Sequence, residues 1–370
     1  MSDVEDLDKD GIYGLFPQFP GRYRLDGDSA IGEPSGFGAV WKAHDRWLSR
    51  DVAIKISNTN LGEEIALCRD IDGETVRIFD YYISDVDPGF QAYAMELLEA
   101  PWSTISAYIN SRKYKPKDIQ HYFDSLEIIR AVLAGLASIH GRPYSREKVV
   151  HADIKPGNIF VLKSTKSRPF TVFRMPQHGE FVKIIDLGIS VQKGKHLNGY
   201  TPGYRPPGVT VAHHGCDLYA LAITFVELLT GQQPSPQEIA DKRSIRKLLA
   251  KHSSGSIHID ELATDFVTRC KNAATQQAIT ARSLIDWLDK KLFETEQLSL
   301  LCLRKIVKGA QEPLSKNDLA ELIYPDVAKY FDWKNRTSIR FDFAKGVIAN
   351  FYKHGMLAKI QGSNLYSVKV

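Results

Sequence analysis

Hydrophobic and polar positions divide the chain into a strand-rich part and a helix-rich part. Between Tyr23 and about Glu96, short apolar runs such as VAIKIS, VRIFDYYI and QAYAMELL are separated by turn residues, which is typical of β-strands. One run there, GEEIALCRDI, has helical spacing. From about Pro101 to Glu296, runs with a helical repeat dominate, among them SLEIIRAVLAGLASIHG and CDLYALAITFVELLTG. These patterns predict an α+β protein in which the sheet precedes the helices.

The two ends of the chain have patterns of their own. Residues 1–20 are polar and contain Pro and Gly, so we predict a leader there. Within 297–370, three helical runs precede LAKIQGSNLYSVKV, which predicts a two-stranded hairpin around Gly362-Ser363-Asn364. The third helical run repeats apolar residues every four positions, a buried helix face, at Ile339, Phe343, Val347 and Phe351. This order resembles a small winged-helix domain.

Charge also separates this C-terminal region from the rest. Residues 297–370 hold 12 Lys or Arg and 6 Asp or Glu, whereas the preceding 296 residues hold 36 and 38. In a DNA-binding winged helix, the start of the third helix (Lys334, Asn335, Arg336) would approach the bases, and Lys359 would lie on the wing. Acidic residues interrupt the basic ones, so a protein partner or an autoregulatory role is the favoured alternative.

Composition narrows the class of protein. With 370 residues, 43% of them hydrophobic and 25% charged, the chain has the make-up of a globular protein of two or three domains. Its acidic start is not a signal peptide, and its longest apolar run, YALAITFVELL, is too short to span a bilayer. The four cysteines lack metal-ligand or disulfide spacing. We therefore predict a cytoplasmic protein that does not insert into membranes.

Two stretches in the strand-rich part suggest phosphate binding. IGEPSGFGAV, residues 31–40, has glycines that allow backbone amides to surround phosphate oxygens, although most such loops are ordinary turns. In VAIK, Lys55 is the one charge of an apolar strand, where an unpaired ammonium would be costly. Lys55 therefore needs a carboxylate or phosphate partner. Glu63 and Glu64, on the short helix that follows, are the candidate carboxylates.

The stretch HADIKPGN interrupts an apolar run with closely spaced polar side chains. The carboxylate of Asp153 can accept a proton from a hydroxyl group, and the amide oxygen of Asn158 can bind a hard cation such as Mg²⁺. Further along, Asp186 leaves the apolar strand of FVKIIDLGIS and offers a second oxygen ligand. A turn rich in Asx residues is the alternative for HADIKPGN taken alone.

Taken in order from about Ile31 to Leu292, these stretches resemble the protein kinase fold. IGEPSGFGAV is similar to the glycine-rich loop, VAIK to the strand with the nucleotide-binding lysine, HADIKPGN to the catalytic loop and DLG to the metal-binding motif. TPGYRPPG resembles the end of the activation segment. The resemblance implies a bilobal kinase domain at 21–296, with lobes at about 21–98 and 99–296. It implies a serine/threonine protein kinase similar to the bacterial eukaryotic-like ones.

The resemblance also implies a role for each residue that matches the catalytic motifs. Asp153 would orient the substrate hydroxyl and accept its proton, and Lys155 would steady the transferring phosphoryl group. Asn158 and Asp186 would hold Mg²⁺, with Mn²⁺ as the alternative metal. The protein substrate itself is not identified by these residues.

An ATP site is implied by the same resemblance. Lys55, paired with Glu64, would bind the α- and β-phosphates, and Met95 would be the gatekeeper residue. The adenine would be enclosed by the side chains of Val40, Ala53 and Phe160, and its edge would be bound by backbone groups of the hinge residues Glu96 and Leu98. The phosphates would be covered by the loop residues Ile31, Gly32, Gly36, Phe37 and Gly38. Ordinary core packing is equally compatible with the sequence at the three adenine positions.

Three departures from the family pattern affect the interpretation. The glycine-rich loop has Pro34 and Ser35 where a glycine is usual, which predicts a stiffer loop. Ala152 replaces the arginine that reads an activating phosphate, so we predict activity without phosphorylation of the activation segment. Gly208 and Ala278 replace both members of a buried Glu–Arg pair. Losing both avoids the roughly 3–5 kcal/mol cost of leaving one buried charge unpaired.

Two other functions stay open at this point. A pseudokinase would bind partners without catalysis, but the lysine, aspartates and asparagine of a working site are all present. A small-molecule phosphotransferase would share the pattern of HADIKPGN but lack a segment like TPGYRPPG. For the insert KSTKSRPFTVFRMPQHGE before Asp186, a solvated loop is the favoured interpretation and a docking element is the alternative.

Overall fold

The computed structural model confirms the α+β class. A sheet-rich lobe precedes a helical lobe, and a smaller group of helices and strands follows at the C-terminus. The residues that the structure describes are 7–27, 30–31, 38–62, 65, 75–111, 119–141, 149–162, 182–186, 190–197, 201–252, 257–276, 278–310, 312–330, 338–353 and 357–368.

A five-stranded antiparallel sheet forms the N-terminal lobe. In its second strand, residues alternate between buried and half-buried, as the period of a strand requires. The strands are β1 (Tyr23–Leu25), β2 (Ala39–Asp45), β3 (Arg50–Ser57), β4 (Ile78–Ile83) and β5 (Gln91–Glu96), in the spatial order β1-β2-β3-β5-β4. Val40 lies opposite Lys55, and Ala53 lies opposite Met95. Residues that the sequence predicts around a nucleotide therefore occupy neighbouring strands.

Two short helices, α1 (Lys9–Leu15) and α2 (Phe19–Arg22), occupy the segment that the sequence predicts as a polar leader. Ile12, Phe16 and Phe19 are each 0% exposed and belong to the core of the N-terminal sheet. The segment thus completes the lobe instead of preceding it. Its polar composition hides this role, because only a few of its side chains carry the contact.

Helices dominate the second lobe. They are α3 (Ile105–Ile109), α4 (Ile119–His140), α5 (His214–Thr230), α6 (Lys242–Lys251), α7 (Ile257–Asn272) and α8 (Ala281–Gly309). Helix α5 is buried along almost its whole length and lies inside the largest hydrophobic core, where α4 and α7 pack against it and α8 packs against α4. It ends at Gly231, whose φ of 79° is the left-handed conformation that glycine adopts at helix ends. No helix in the described ranges is long and apolar enough to cross a bilayer.

Short strands between α3 and α5 carry the loops of the candidate site. They are β6 (Trp102–Thr104), β7 (Val149–Val150), β8 (Ile159–Leu162), β9 (Val182–Ile184) and β10 (Val191–Gln192). Strands β6, β8 and β9 form one sheet, and β7 pairs with β10. The loop between β7 and β8, which contains a 3₁₀ turn at Pro156–Asn158, therefore lies beside the end of β9.

The C-terminal group combines the end of α8 with β11 (Leu314–Ser315), α9 (Lys316–Tyr330), α10 (Ser338–Lys353), β12 (Leu357–Lys359) and β13 (Leu365–Val368). The last two strands form a hairpin, and β11 adds a third strand in the order β11-β13-β12. These elements enclose a separate hydrophobic core. Val347 and Phe351 of the predicted helix face contribute to it, whereas the side chains of Ile339 and Phe343 are outside the description.

Candidate active site

A buried carboxylate on α5 holds the loop between β7 and β8 in place. Asp217 is 0% exposed and accepts hydrogen bonds from the backbone amides of His151 and Ala152, both at 2.8 Å. His140, at the end of α4, contacts the same carboxylate at 2.8 Å. Burial alone would raise the pKa of Asp217, but the hydrogen bonds from His140 and from the loop amide of Ala152 hold that pKa below its usual range. The loop backbone is thereby fixed to the helical core.

Backbone geometry and an imidazole complete the support of this loop. Ala152 has a φ of 70°, a left-handed conformation that is uncommon for a residue with a side chain. The Nδ1 of His151 accepts the amide hydrogen of Asp153 at 3.2 Å, and its Nε2 lies 3.1 Å from the carbonyl of Ile185. This pattern fits a neutral imidazole with its proton on Nε2. His151 thus joins the loop to the residue before Asp186.

Three polar side chains converge on the carboxylate of Asp153, which is 6% exposed. Thr201 donates to Oδ1 at 2.6 Å, and the amide of Asn158 donates to Oδ2 at 2.9 Å. The ammonium of Lys155 lies 2.7 Å from Oδ2 and also donates to the Thr201 hydroxyl at 3.0 Å. The structure therefore brings together Asp153, Lys155 and Asn158, as the sequence predicts, and adds the threonine of TPGYRPPG.

Two predicted metal ligands lie at the ends of adjoining strands, Asn158 directly before β8 and Asp186 two residues after β9. The backbone oxygen of Asn158 accepts the amide hydrogen of Ile185 at 3.0 Å, directly before Asp186. The amide nitrogen of Asn158 is engaged by Asp153, which leaves its side-chain oxygen as the available ligand atom. An amide oxygen and a carboxylate are hard donors that suit Mg²⁺. No group of three or more His, Cys, Asp or Glu that suits a metal occurs among the described residues.

An ion pair joins the two lobes across the site. The ammonium of Lys55 on β3 lies 3.2 Å from Oδ1 of Asp186, and Lys55 is 5% exposed. Asp186 has a φ of 63°, so the backbone turns sharply where β9 ends. The predicted partner Glu64, like Glu63, lies outside the described residues. The strand lysine and the predicted metal-binding aspartate thus face the same space between the lobes.

The described part of the predicted nucleotide site lies around this space. Ala53 is buried, Val40, Met95 and Phe160 are half-buried, and Ile31 is exposed. Gly38 has a φ of 128°, and a Cβ there would lie 2.2 Å from the carbonyl oxygen of Ile56, so only glycine fits without a shift of the backbone. Gly32, Gly36 and Phe37 of the loop, with Pro34 and Ser35, are outside the described residues, as is the insert at 163–180.

A second buried lysine contacts the predicted hinge. Lys183 on β9 lies 3.2 Å from Oε2 of Glu96 and donates to the carbonyl of Thr75 at 3.1 Å. The criterion that selects Lys55, a lone charge in an apolar strand, also applies to Lys183 in FVKIID. The Glu96 amide donates a hydrogen bond to the carbonyl of Arg77 at 2.9 Å.

The segment TPGYRPPG packs against α5. The hydroxyl of Tyr204 donates to Glu227, and burial together with that carboxylate raises the pKa of Tyr204. Gly208 and Ala278, where the sequence predicts the loss of a buried charge pair, are both exposed. Helix α8 is tied to α4 by Arg130, which donates two hydrogen bonds to Asp289 at 2.5 and 2.7 Å.

Comparison with known proteins extends these observations. The family model of the protein kinase domain matches residues 28–288. A serine/threonine-protein kinase of Schizosaccharomyces pombe, ppk11, is 28% identical over 81% of this chain and 89% of its own length. Serine/threonine-protein kinase ArnS of Sulfolobus acidocaldarius is 32% identical over 28% of this chain and 17% of its own length. Serine/threonine-protein kinase A of Synechocystis is 29% identical over 53% of this chain and 39% of its own length.

Proposed function

The chain belongs to the protein kinase family and is an ATP-dependent serine/threonine kinase, and we propose that it phosphorylates protein hydroxyl groups at the Asp153 carboxylate. The observation that carries this proposal is the set of hydrogen bonds on Asp153 from Thr201, Lys155 and Asn158. A carboxylate held in this way by an ammonium and two neutral donors is fixed in one orientation, as a positioned proton acceptor must be.

In the proposed reaction, the oxygen of the substrate hydroxyl bonds to the γ-phosphorus of ATP while the bond from that phosphorus to the β,γ-bridging oxygen breaks. Asp153 accepts the hydroxyl proton, and ADP leaves. Lys155 lies at the same carboxylate, so its positive charge is available to the transferring phosphoryl group. The hydroxyl of Thr201 hydrogen bonds to both Asp153 and Lys155 and so holds both side chains in place. Low exposure of Asp153 limits competition from water.

The nucleotide is proposed to lie between the lobes. Lys55 would bind the α- and β-phosphates, and Asn158 and Asp186 would hold Mg²⁺, with Mn²⁺ as the alternative. The bound metal would neutralise charge on the phosphates. The adenine would lie between the side chains of Val40 and Ala53 on one side and Phe160 on the other, behind the gatekeeper Met95. Its edge would meet backbone groups of Glu96 and Leu98.

We also propose that the kinase does not depend on an activating phosphate. Ala152 offers no cation to receive one, and the amide of Ala152 is instead bound by Asp217, whose buried carboxylate is part of the fold. The cytoplasm, predicted from the cysteine pattern, is the proposed location.

For the C-terminal group, 297–370, we propose a winged-helix-like module that modulates activity or substrate choice. Its order of helix, strand, two helices and two strands supports this, as does its separate core. A protein contact or an autoregulatory contact is the favoured role. DNA binding is the alternative that its excess of basic residues supports.

Replacement of the proposed base tests the function. Asp153→Ala should lower phosphate transfer from ATP to a protein substrate by about 10²–10⁴-fold, the usual contribution of a general base. Binding of ATP should persist, because Asp153 is not among the proposed nucleotide contacts. Asp286→Ala, at an exposed position on α8, is the matched control and should keep full activity. Near-normal transfer by Asp153→Ala would refute the assignment of the base. Absence of transfer by the wild type itself would favour a pseudokinase.

A further inference from the structure

Helix α6 presents a stripe of basic side chains on the surface of the helical lobe. Its apolar residues Ile245, Leu248 and Leu249 are buried, so the opposite face is turned to solvent. Arg243, Lys247 and Lys251 follow one another every four residues on that face, and all three are exposed. We call these three residues the α6 stripe.

The other basic residues of α6 already have partners. Lys242 lies 2.5 Å from Asp265, and Arg246 lies 3.7 Å from Glu261, both carboxylates being on α7. By contrast, the ion pairs between described residues include no member of the α6 stripe. Near its end lies Glu238, whose pKa is lowered by hydrogen bonds from Ser235 and by the charges of Lys251 and His252. At its start, the N-cap carboxylate of Asp241 accepts hydrogen bonds from the backbone amides of Ser244 and Arg243. The stripe therefore presents three exposed positive charges with one carboxylate near each end.

The chain connects this surface to the catalytic groups. Thr201, which hydrogen bonds to Asp153, is followed by Pro202, whose carbonyl accepts a hydrogen bond from Gln233 at 3.0 Å. Gln233 belongs to the loop that joins α5 to α6, and that loop leads to the N-cap of α6 at Asp241. A protein substrate at Asp153 would thus meet the segment beginning at Thr201 and then the region of α6 on the same lobe.

We propose that the α6 stripe is a docking surface for an acidic segment of the protein substrate. This inference rests on the proposed kinase function and adds a property of its substrates. Residues four apart on a helix lie about 6 Å from one another. Alternate residues of an extended peptide repeat about every 6.6 Å, so alternate Asp or Glu side chains match the spacing of the stripe.

The composition of α6 favours a protein over other anions. Its sequence, KRSIRKLLAK, contains no aromatic side chain on which the bases of a single strand could stack. None of its large apolar residues is exposed, so it lacks the hydrophobic face that interfacial helices insert into a membrane. Acidic protein is the anionic partner that a kinase surface of this kind fits best.

Binding of a model acidic peptide tests the proposal without relying on catalysis. The full chain would be titrated against a fluorescent peptide of twelve glutamates, with anisotropy as the readout, at two salt concentrations. The variant Arg243→Gln/Lys247→Gln/Lys251→Gln should bind about tenfold more weakly, since each exposed ion pair contributes a modest increment. The variant Arg282→Gln/Lys290→Gln/Lys308→Gln removes equal charge from exposed positions of α8 and should bind like the wild type.

Several results would overturn the proposal. These are absence of saturable peptide binding by the wild type, equal loss in the two triple variants, or no loss in the α6 variant. Tighter, stripe-dependent binding of duplex DNA or phosphatidylserine vesicles would replace the protein partner with a nucleic acid or a membrane. Asp153→Ala should bind the peptide normally, so failure of docking and failure of catalysis are distinguishable. With dephosphorylated casein as substrate, the α6 variant should raise KM and leave kcat unchanged.

Discussion

The ion pair between Lys183 and Glu96 has two ends that differ in access to water. The Lys183 side chain is 10% exposed, whereas that of Glu96 is 32% exposed. Glu96→Gln would leave a mostly buried ammonium, so we expect it to lower the free energy of unfolding by about 2–3 kcal/mol. Lys183→Met leaves a carboxylate that water can still reach, and we expect a loss of about 1 kcal/mol. Urea unfolding of each variant measures the difference.

A double-mutant cycle separates this interaction from simple loss of packing. Lys183→Met combined with Glu96→Gln should recover most of the stability lost in Glu96→Gln, because the buried ammonium is then absent. The matched control is the pair between Lys42 and Glu99, whose side chains are 23% and 51% exposed. Its variants Lys42→Met and Glu99→Gln should each lower stability less than Glu96→Gln does, because water screens an exposed pair. Strictly additive losses at Lys183 and Glu96 would contradict the predicted asymmetry.

Single residues were predictable from the sequence where a charged or amide side chain interrupts an apolar run. Lys55, Asp153, Asn158 and Asp186 stand out in this way, and the structure places all four around one space between the lobes. Asp217 was not selected, although it also begins an apolar helix. The reason is that its role depends on loop amides 65 and 66 residues earlier in the chain, and local sequence does not indicate such a contact.

Among the elements, α1 and α2 supply a prediction about the N-terminal lobe. The rings of Phe16 and Phe19 stack with centroids 4.7 Å apart, and Phe19 also packs edge-on against Tyr23 and Tyr82. Because Phe19 is fully buried, Phe19→Ala should lower the free energy of unfolding by about 3–5 kcal/mol. Thermal and urea unfolding of the full chain would measure this loss.

An exposed aliphatic residue of the same lobe serves as the control for Phe19. Val86, in the turn between β4 and β5, is 61% exposed, so Val86→Ala should leave stability within about 0.5 kcal/mol of the wild type. If Phe19→Ala cost no more than Val86→Ala, the two N-terminal helices would not belong to the core. In that case the predicted leader would be the better description.

Elements were predictable in proportion to their length. The long apolar strands of the N-terminal sheet and helices such as α4 and α5 follow their sequence periods closely. The helices α1 and α2 are short and contain Gly11, Gly14, Pro20 and Gly21, which lower helix propensity, so contacts with the sheet must stabilise them. Strands of two to four residues, such as β7, β10 and β11, exist through pairing with distant partners.

At the scale of the whole molecule, one helix belongs to two cores. The first turns of α8 place Leu284, Ile285 and Leu288 in the core of the helical lobe. Its last turns place Cys302 and Ile306, with Leu298 before them, in the C-terminal core. The boundary predicted at residues 296 and 297 therefore falls inside a continuous helix, between the two sets of buried residues. The sequence changes its charge balance and its apolar pattern near residue 296, and this change indicates two separate cores. It does not indicate that one continuous helix joins them.

This arrangement predicts that the kinase domain tolerates removal of the C-terminal group. A chain ending at Glu296 keeps every α8 residue of the helical-lobe core, so it should remain soluble and bind a fluorescent ATP analogue as tightly as the full chain. A chain ending at Thr280 removes α8, including Asp289, the partner of Arg130, and should fail to fold. Insoluble or nucleotide-blind protein ending at Glu296 would make the C-terminal group part of the kinase core. Residues 297–370 alone keep the buried set that starts at Leu298, and salt-dependent retardation of duplex DNA by them would favour DNA over a protein partner.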